Sequence, residues 1–166
     1  AGLVGGDMRA IEKTYNLLQQ VSGRAGRTKK RGKVFIQTYF PNQPVIKSFI
    51  KRDREDFVKH LLLERKKFNM PPFSFMTAII ISGSSKTKVE SYSLKLVKAC
   101  NPENDIDILG PVEAPLFLLR GKYRYRLLLK SKSRKKLNLF TKNLVSLSPL
   151  PSDLRLTIDV DPYTFV

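Results

Sequence analysis

The sequence predicts an α+β fold. From residue 71 onward, β-rich apolar runs alternate with amphipathic stretches in the order β-α-β-β-α-β. Before residue 70 the apolar residues recur mostly at three- and four-residue spacing, which is helical. A Met70-Pro71-Pro72-Phe73 break separates the two regimes.

The chain opens on Ala1-Gly2-Leu3-Val4-Gly5-Gly6, without Met, which reads as a loop cut out of something larger. Ile11, Tyr15 and Leu18 predict a helix over 10–20, broken by Ser22-Gly23-Arg24-Ala25-Gly26-Arg27. The basic run Lys29-Lys30-Arg31 precedes a predicted strand over 33–40, and Pro41 and Pro44 bracket a turn. Ile46, Ile50, Phe57 and Leu61 predict one long helix over 45–68, with Lys47, Lys51, Arg54 and Lys59 on its other side. It stops at Met70 because the residue before a proline is pushed out of the helical region. The expected organisation is a first segment over 1–43, a bridging helix over 44–70 and a C-terminal domain over 71–166.

Within that domain a strand is predicted over 75–82. Its continuous run Ala78, Ile79, Ile80, Ile81 implies a central, covered position. Ser84 or Ser85 can cap a helix reaching Cys100, with Val89, Leu96, Val97 and Cys100 facing inward. A short strand over 106–109 is expected to end at Gly110-Pro111, and a third spans 123–130. Ser133 caps a second helix with Leu137, Phe140, Leu144 and Leu147 at 3-4-3 spacing, and a fourth strand spans 154–160. This order is the split βαβ, or ferredoxin-like, arrangement: two helices on one face of a four-stranded antiparallel sheet.

Thirty-one Lys and Arg against 14 Asp and Glu leave a formal charge of +17 over 166 residues. Self-repulsion on that scale is tolerated when a polyanion is the usual partner. An apolar share of 42% supplies a real core, so the chain is not a disordered basic tail. No window approaches about eighteen uncharged apolar residues, so no membrane-spanning helix is predicted. No secretory signal opens the chain, and one cysteine, Cys100, makes neither an internal disulfide nor a zinc site. A cytoplasmic, membrane-free setting is expected.

The most specific signal is Gln20-Val21-Ser22-Gly23-Arg24-Ala25-Gly26-Arg27, the pattern Q-x-x-G-R-x-G-R. Two arginines three apart on a glycine-hinged turn can aim planar guanidinium forks at one polyphosphate. The glycines remove side chains where backbone and phosphate approach closely. An arginine aimed at a γ-phosphate stabilises transition-state charge, an effect on the order of 10³–10⁵ in rate. The bland reading is a Gly/Arg surface turn that binds nothing.

This pattern resembles motif VI of the superfamily 2 helicases, and its surroundings resemble the primosomal replication-restart helicases. The likeness begins at Asp7-Met8-Arg9-Ala10 and continues through Val34-Phe35-Ile36-Gln37-Thr38-Tyr39, Glu64-Arg65 and Met70-Pro71-Pro72-Phe73. It then takes in Leu109-Gly110-Pro111, the run from Arg120 to Lys130, and Ile158-Asp159-Val160-Asp161-Pro162. The resemblance implies that residues 1–43 are the tail of an α/β helicase second lobe. There Gln20, Gly23, Arg24, Gly26 and Arg27 would line the ATP cleft, with Arg24 and Arg27 catalytic at the phosphates. Gly2 and Asp7 would lie in or beside the motif that couples ATP to DNA. It implies an intact enzyme that uses ATP and Mg²⁺, carries zinc, moves 3′ to 5′ on single-stranded DNA, recognises abandoned forks and loads the replicative helicase.

This sequence departs from that pattern. A phosphate-cradling G-x-x-x-x-G-K-[ST] loop is missing, since Gly32-Lys33 and Gly121-Lys122 are followed by Val34 and Tyr123. The family's paired zinc sites need eight cysteines, so zinc is not expected on this chain. The expectation is a C-terminal fragment, inactive as an ATPase by itself.

Two further clusters stand out. Alternation over 120–126 places Lys122, Arg124 and Arg126 on one face, as a row for DNA phosphates, and Tyr123, Tyr125 and Leu127 on the other. Because the tyrosines share a face with Leu127 and Leu129, core packing is favoured over base stacking. Ser133-Arg134-Lys135-Lys136 places cations in the first turn of a helix, where free N–H groups make an anion site. The resemblance points there to the acidic C-terminal tail of the single-stranded-DNA-binding protein, with Arg134 and Lys135 as contacts; an idle surface cluster is the rival. Lys29, Lys30 and Arg31 are either DNA contacts or a solvated loop. Asp159 and Asp161 read as a salt-bridged strand end rather than a metal site, and His60 as an ordinary helix residue.

The sequence therefore points to the C-terminal part of a bacterial replication-restart DNA helicase. Its expected partners are forked and single-stranded DNA, the acidic tail and other primosome proteins, and the chain is expected to be monomeric. The rivals are a free-standing basic ferredoxin-like RNA-binding protein and an interaction module for acidic tails.

Overall fold

The computed structural model describes residues 9–25, 33–99, 105–147 and 149–162. They form an α+β protein of five helices and one four-stranded sheet in two compact units, residues 1–67 and 68–166.

The first unit is helical. Helix α1 (Ala10–Ala25) runs on through Ser22, Gly23 and Arg24, so the predicted break does not occur there. A single glycine costs a helix only about 1 kcal/mol relative to alanine, which three preceding turns offset. The single helix predicted over 45–68 is instead two, α2 (Pro44–Lys51) and α3 (Arg54–Lys67). Between them Arg52 takes a left-handed conformation (φ 58°), its N–H donating to Phe49 O at 3.1 Å. Asp53 then caps α3, its Oδ1 accepting from the Asp56 N–H at 2.8 Å. A buried cluster of Tyr15, Val45, Ile46 and Phe57 joins the three helices. The Tyr15 ring lies parallel to Phe57, centroids 4.1 Å apart, and edge-on to Phe49 at 6.3 Å. Residues 33–40, predicted as a strand, belong to none. No described segment pairs with them, and a strand without a hydrogen-bonding neighbour is only an extended chain.

The second unit holds β1 (Phe75–Gly83), α4 (Lys86–Lys98), β2 (Ile106–Leu119), β3 (Lys122–Ser131), α5 (Arg134–Leu147) and β4 (Leu154–Val160). The sheet order is β2-β3-β1-β4, with every neighbouring pair antiparallel. Strand β1 is central, as its apolar run predicts. Both helices start on serines: Ser85 Oγ accepts from the Lys88 N–H, and Ser133 Oγ from the Lys136 N–H, each at 3.4 Å. Their apolar sides meet one sheet face in a core built on Ile79, Ile81, Leu96, Leu127, Leu129 and Leu137. Each such side chain contributes about 1.5–3 kcal/mol by leaving water.

Strand β2 does not end at Gly110-Pro111. It continues to Leu119 across two register irregularities, one at Gly110-Pro111 and a larger one over 114–117. Gly110 is required at the first: its φ is +102°, and a Cβ there would stand 2.7 Å from Arg126 O.

Candidate nucleic-acid interface

Residues 20–25 of the Q-x-x-G-R-x-G-R segment lie on the last turns of α1, with Gly23 helical. Gln20 and Arg24 are four residues apart, hence on one helical face, and both are exposed. Arg24 sits in the last turn, where the helix dipole favours a cation. It carries no ion pair among the described residues. A Cβ at Gly23 would meet nothing within 4 Å, so the backbone there is open to a close approach. A cleft of about 610 Å³ borders this helix, lined by Gln19, Ser22, Gly23, Val34, Ile36 and Phe49. Gln20 and Arg24 are not among its lining residues; Gly26, Arg27, Lys29, Lys30 and Arg31, as well as Gly2 and Asp7, lie outside the described residues. Among the described residues no group of three or more His, Cys, Asp or Glu is placed to hold a metal ion.

The second unit presents a different surface. Because α4 and α5 both pack on the face carrying Ile79, Ile81, Leu127 and Leu129, the opposite face of the sheet carries no helix of this unit. Lys122, Arg124 and Arg126 project from β3 on that helix-free side, at steps of about 7 Å along the strand. Register adds a residue that sequence reasoning missed. Ser82 on β1 pairs with Arg124 on one side and Arg155 of β4 on the other. Arg124 and Arg155 are therefore level with each other, about 10 Å apart across the sheet. Arg155 lies 31 positions from Arg124, and only the strand order makes them neighbours. The available signal was its place in the alternation of the last strand, Arg155, Thr157, Asp159, opposite Leu154, Leu156, Ile158.

Five cations of this unit are held in ion pairs. Lys86 pairs with Glu113 (3.3 Å), Lys88 with Asp153 (2.7 Å), Lys130 with Asp107 (3.4 Å), Arg134 with Asp161 (2.7 Å) and Lys136 with Asp105. Lys122, Arg124 and Arg155 have no such partner among the described residues. Arg126 is half-buried, and loss of solvent pushes its guanidinium pKa down. An anion above the sheet would favour its charged form and offset that desolvation.

The tyrosines of β3 are part of the fold. Tyr125 is buried, which pushes its phenol pKa up, and Tyr123 packs at the margin of the core. Phe117, folded back by the irregularity in β2, lies 5.4 Å from the Tyr123 ring and 5.7 Å from Tyr125. Neither ring is on the helix-free face.

Arg134 opens α5 with its guanidinium 4.5 Å from the centre of the Phe75 ring. Its carboxylate partner is Asp161, just past β4, so an incoming acidic group would meet an arginine already oriented by a ring and an internal acid. Lys135 beside it is exposed and carries no ion pair among the described residues. Asp159 faces the helix-free side of the sheet, opposite Ala78. His60 is exposed on α3 with Nδ1 2.8 Å from Asp56 O. Among the described residues no helix is long and apolar enough to cross a membrane.

The model of the primosomal protein N C-terminal domain family matches residues 66–163. The replication restart protein PriA of Rickettsia conorii is 40% identical over 160 residues, covering 96% of this chain and 24% of that protein. Its namesake in Bacillus subtilis is 32% identical over 162 residues, covering 95% and 20%. The Haemophilus influenzae protein of that name is 31% identical over 159 residues, covering 94% and 22%. The chain thus spans about a quarter or less of the length of these curated relatives.

Proposed function

The chain belongs to the primosomal protein N C-terminal domain family, and from that premise we propose that it serves as the C-terminal portion of a bacterial replication-restart DNA helicase. The intact enzyme would hydrolyse ATP, translocate 3′ to 5′ and act at stalled forks in the cytoplasm during primosome assembly. This portion supplies the arginine side of the ATP cleft and a DNA-binding sheet, and without the rest of the enzyme it does not turn over ATP. The observation that supports DNA binding most directly is the shared placement of Lys122, Arg124 and Arg155, which project from one helix-free side of the sheet and carry no ion pair among the described residues.

Unmatched cations at strand spacing hold successive phosphates of an extended strand, and counterion release makes such binding salt-sensitive. The helix-free face carries no aromatic ring from β3, so contact is to backbone rather than to bases, and binding tolerates sequence. On the motor side Gln20 and Arg24 face the nucleotide, with Arg27 completing the fork and stabilising charge on the transferred phosphoryl group. Nucleotide hydrolysis supplies the free energy for movement; Mg²⁺ and zinc are held by other parts of the intact polypeptide. Arg134 and Lys135 receive the acidic tail of the single-stranded-DNA-binding protein, and the portion acts as a monomer.

The test is a direct comparison of ligands. The 166-residue chain is titrated against forked DNA, structured RNA and an acidic peptide at physiological salt. Tighter binding to forked DNA is expected. A preference for structured RNA would replace this reading with an RNA-binding one, and peptide binding without DNA binding would make the chain a pure interaction module. In the intact enzyme, Arg27→Ala should abolish ATP turnover while leaving DNA affinity nearly intact.

A further inference from the structure

The end of the β2–β3 hairpin combines two properties that rarely coincide on a solvent-facing turn. Leu118 and Leu119 are 57% and 41% exposed, immediately before the turn residues Arg120 and Gly121. Cations surround them: Arg120 in the turn itself and the unmatched Lys122 and Arg124 on the return strand.

The tip is also stiff. Arg120 (φ 51°) and Gly121 (φ 74°) both take positive φ, the two-residue turn whose twist matches that of the strands it joins. Behind it, Phe117 lies against Tyr123 and Tyr125, and the Lys86 ammonium sits 5.0 Å from the Phe117 ring while paired with Glu113. Register fixes the direction of each leucine. Leu119 opposes Lys122 on the helix-free face, the side that carries Arg124, Arg126 and Arg155; Leu118 opposes Tyr123 on the other. A strand whose phosphates follow the cations toward the turn therefore arrives with its bases beside Leu119, while Leu118 faces the other side of the same tip.

We propose that Leu118 and Leu119 form a wedge that abuts the last base pair where a DNA duplex opens into single strands. Apolar side chains, leucine among them, unstack bases in this way when flanking cations hold the phosphates. Charge favours this occupant over an apolar groove on another protein, because the surrounding Arg120, Lys122 and Arg124 suit a polyanion. The proposal rests on the DNA-binding reading above and extends it from a phosphate row to a junction-specific contact.

The experiment uses the 166-residue chain and forked DNA carrying 2-aminopurine either at the first paired position or in the duplex interior. At saturating protein, fluorescence of the junction probe should rise and that of the interior probe should not. Leu118→Ser/Leu119→Ser should lose the rise while its Kd stays within about twofold of the parent, since affinity resides in the phosphate contacts. Lys122→Ala/Arg124→Ala should raise Kd and keep the rise at saturation. Both leucines are exposed, so the core is untouched, and circular dichroism verifies folding; Leu119→Gln alone is the second variant should the double one fail to fold. A junction probe unchanged at saturation, or a rise equal in the leucine variants, overturns the wedge while leaving DNA binding in place. No binding to any DNA overturns the wedge and the DNA reading together.

Discussion

Removing Arg124 and Arg155 together, as Arg124→Ala/Arg155→Ala, isolates the electrostatic argument. Both side chains project from the helix-free sheet face on either side of Ser82, and neither has a carboxylate partner among the described residues. Each phosphate neutralised on a single strand contributes about −0.7 to the slope of log K against log salt. Losing two such contacts should flatten the slope by about 1.4. Over a fourfold rise in salt, from about 50 to about 200 mM, one contact accounts for a factor of about 2.6 and two for about 7. The variant should therefore lose about sevenfold less affinity than the parent across that range, while binding more weakly at low salt. The assay is fluorescence anisotropy with a labelled oligothymidine at four or more salt concentrations. Lys88→Ala/Asp153→Ala is the control, because it deletes a pair already closed at 2.7 Å and leaves net charge unchanged. A slope unaltered by the arginine pair, or altered equally by the control, refutes the claim that unmatched cations carry the binding.

The remaining expectations concern the fold and one ion pair. Tyr15→Ala should destabilise the first unit by about 3–5 kcal/mol in urea titration, since a buried ring stacked on Phe57 leaves a cavity. Tyr39→Ala, at a ring 97% exposed, should stay within about 0.5 kcal/mol. Gly110→Ala should cost at least about 1–3 kcal/mol by the same measurement, because of its positive φ and the nearby Arg126 carbonyl. Gly23→Ala, with open space inside a helix, should stabilise by about 0.5–1 kcal/mol. The Lys88 ammonium, hydrogen-bonded to Asp153, holds that carboxyl below the usual carboxylate range. A depressed folded-state pKa makes the pair's contribution full above the unfolded value of about 3.9 and lost as pH falls through the folded one. Lys88→Ala should return the Asp153 midpoint, followed by NMR, toward the ordinary value; an unmoved midpoint would reject the pair as its cause.

Much of this protein is written locally. The strands over 75–83 and 154–160 and the serine caps at Ser85 and Ser133 follow from short-range patterns: side-chain alternation, apolar runs and a hydroxyl ahead of an amphipathic stretch. The face assignment of Lys122, Arg124 and Arg126 follows too, because alternation in a strand is a property of the backbone itself. Tertiary context decided the rest. Gly23 stays helical because one weak residue does not end a run of favourable turns, and 45–68 divides because Arg52 and Asp53 close one helix and cap the next within two residues. Residues 33–40 have strand composition, but ladder hydrogen bonds need a second chain segment that propensity cannot supply. Gly110-Pro111 reads as a terminator in sequence, yet pairing with β3 resumes beyond it because an irregularity absorbs the misfit. Charge itself, +17, is a sum over residues and needs no fold; which of those cations remain unmatched depends on distances between residues far apart in sequence. Arg155 beside Arg124 exists only because β1 lies between β3 and β4, and strand order is a long-range property that no local pattern encodes.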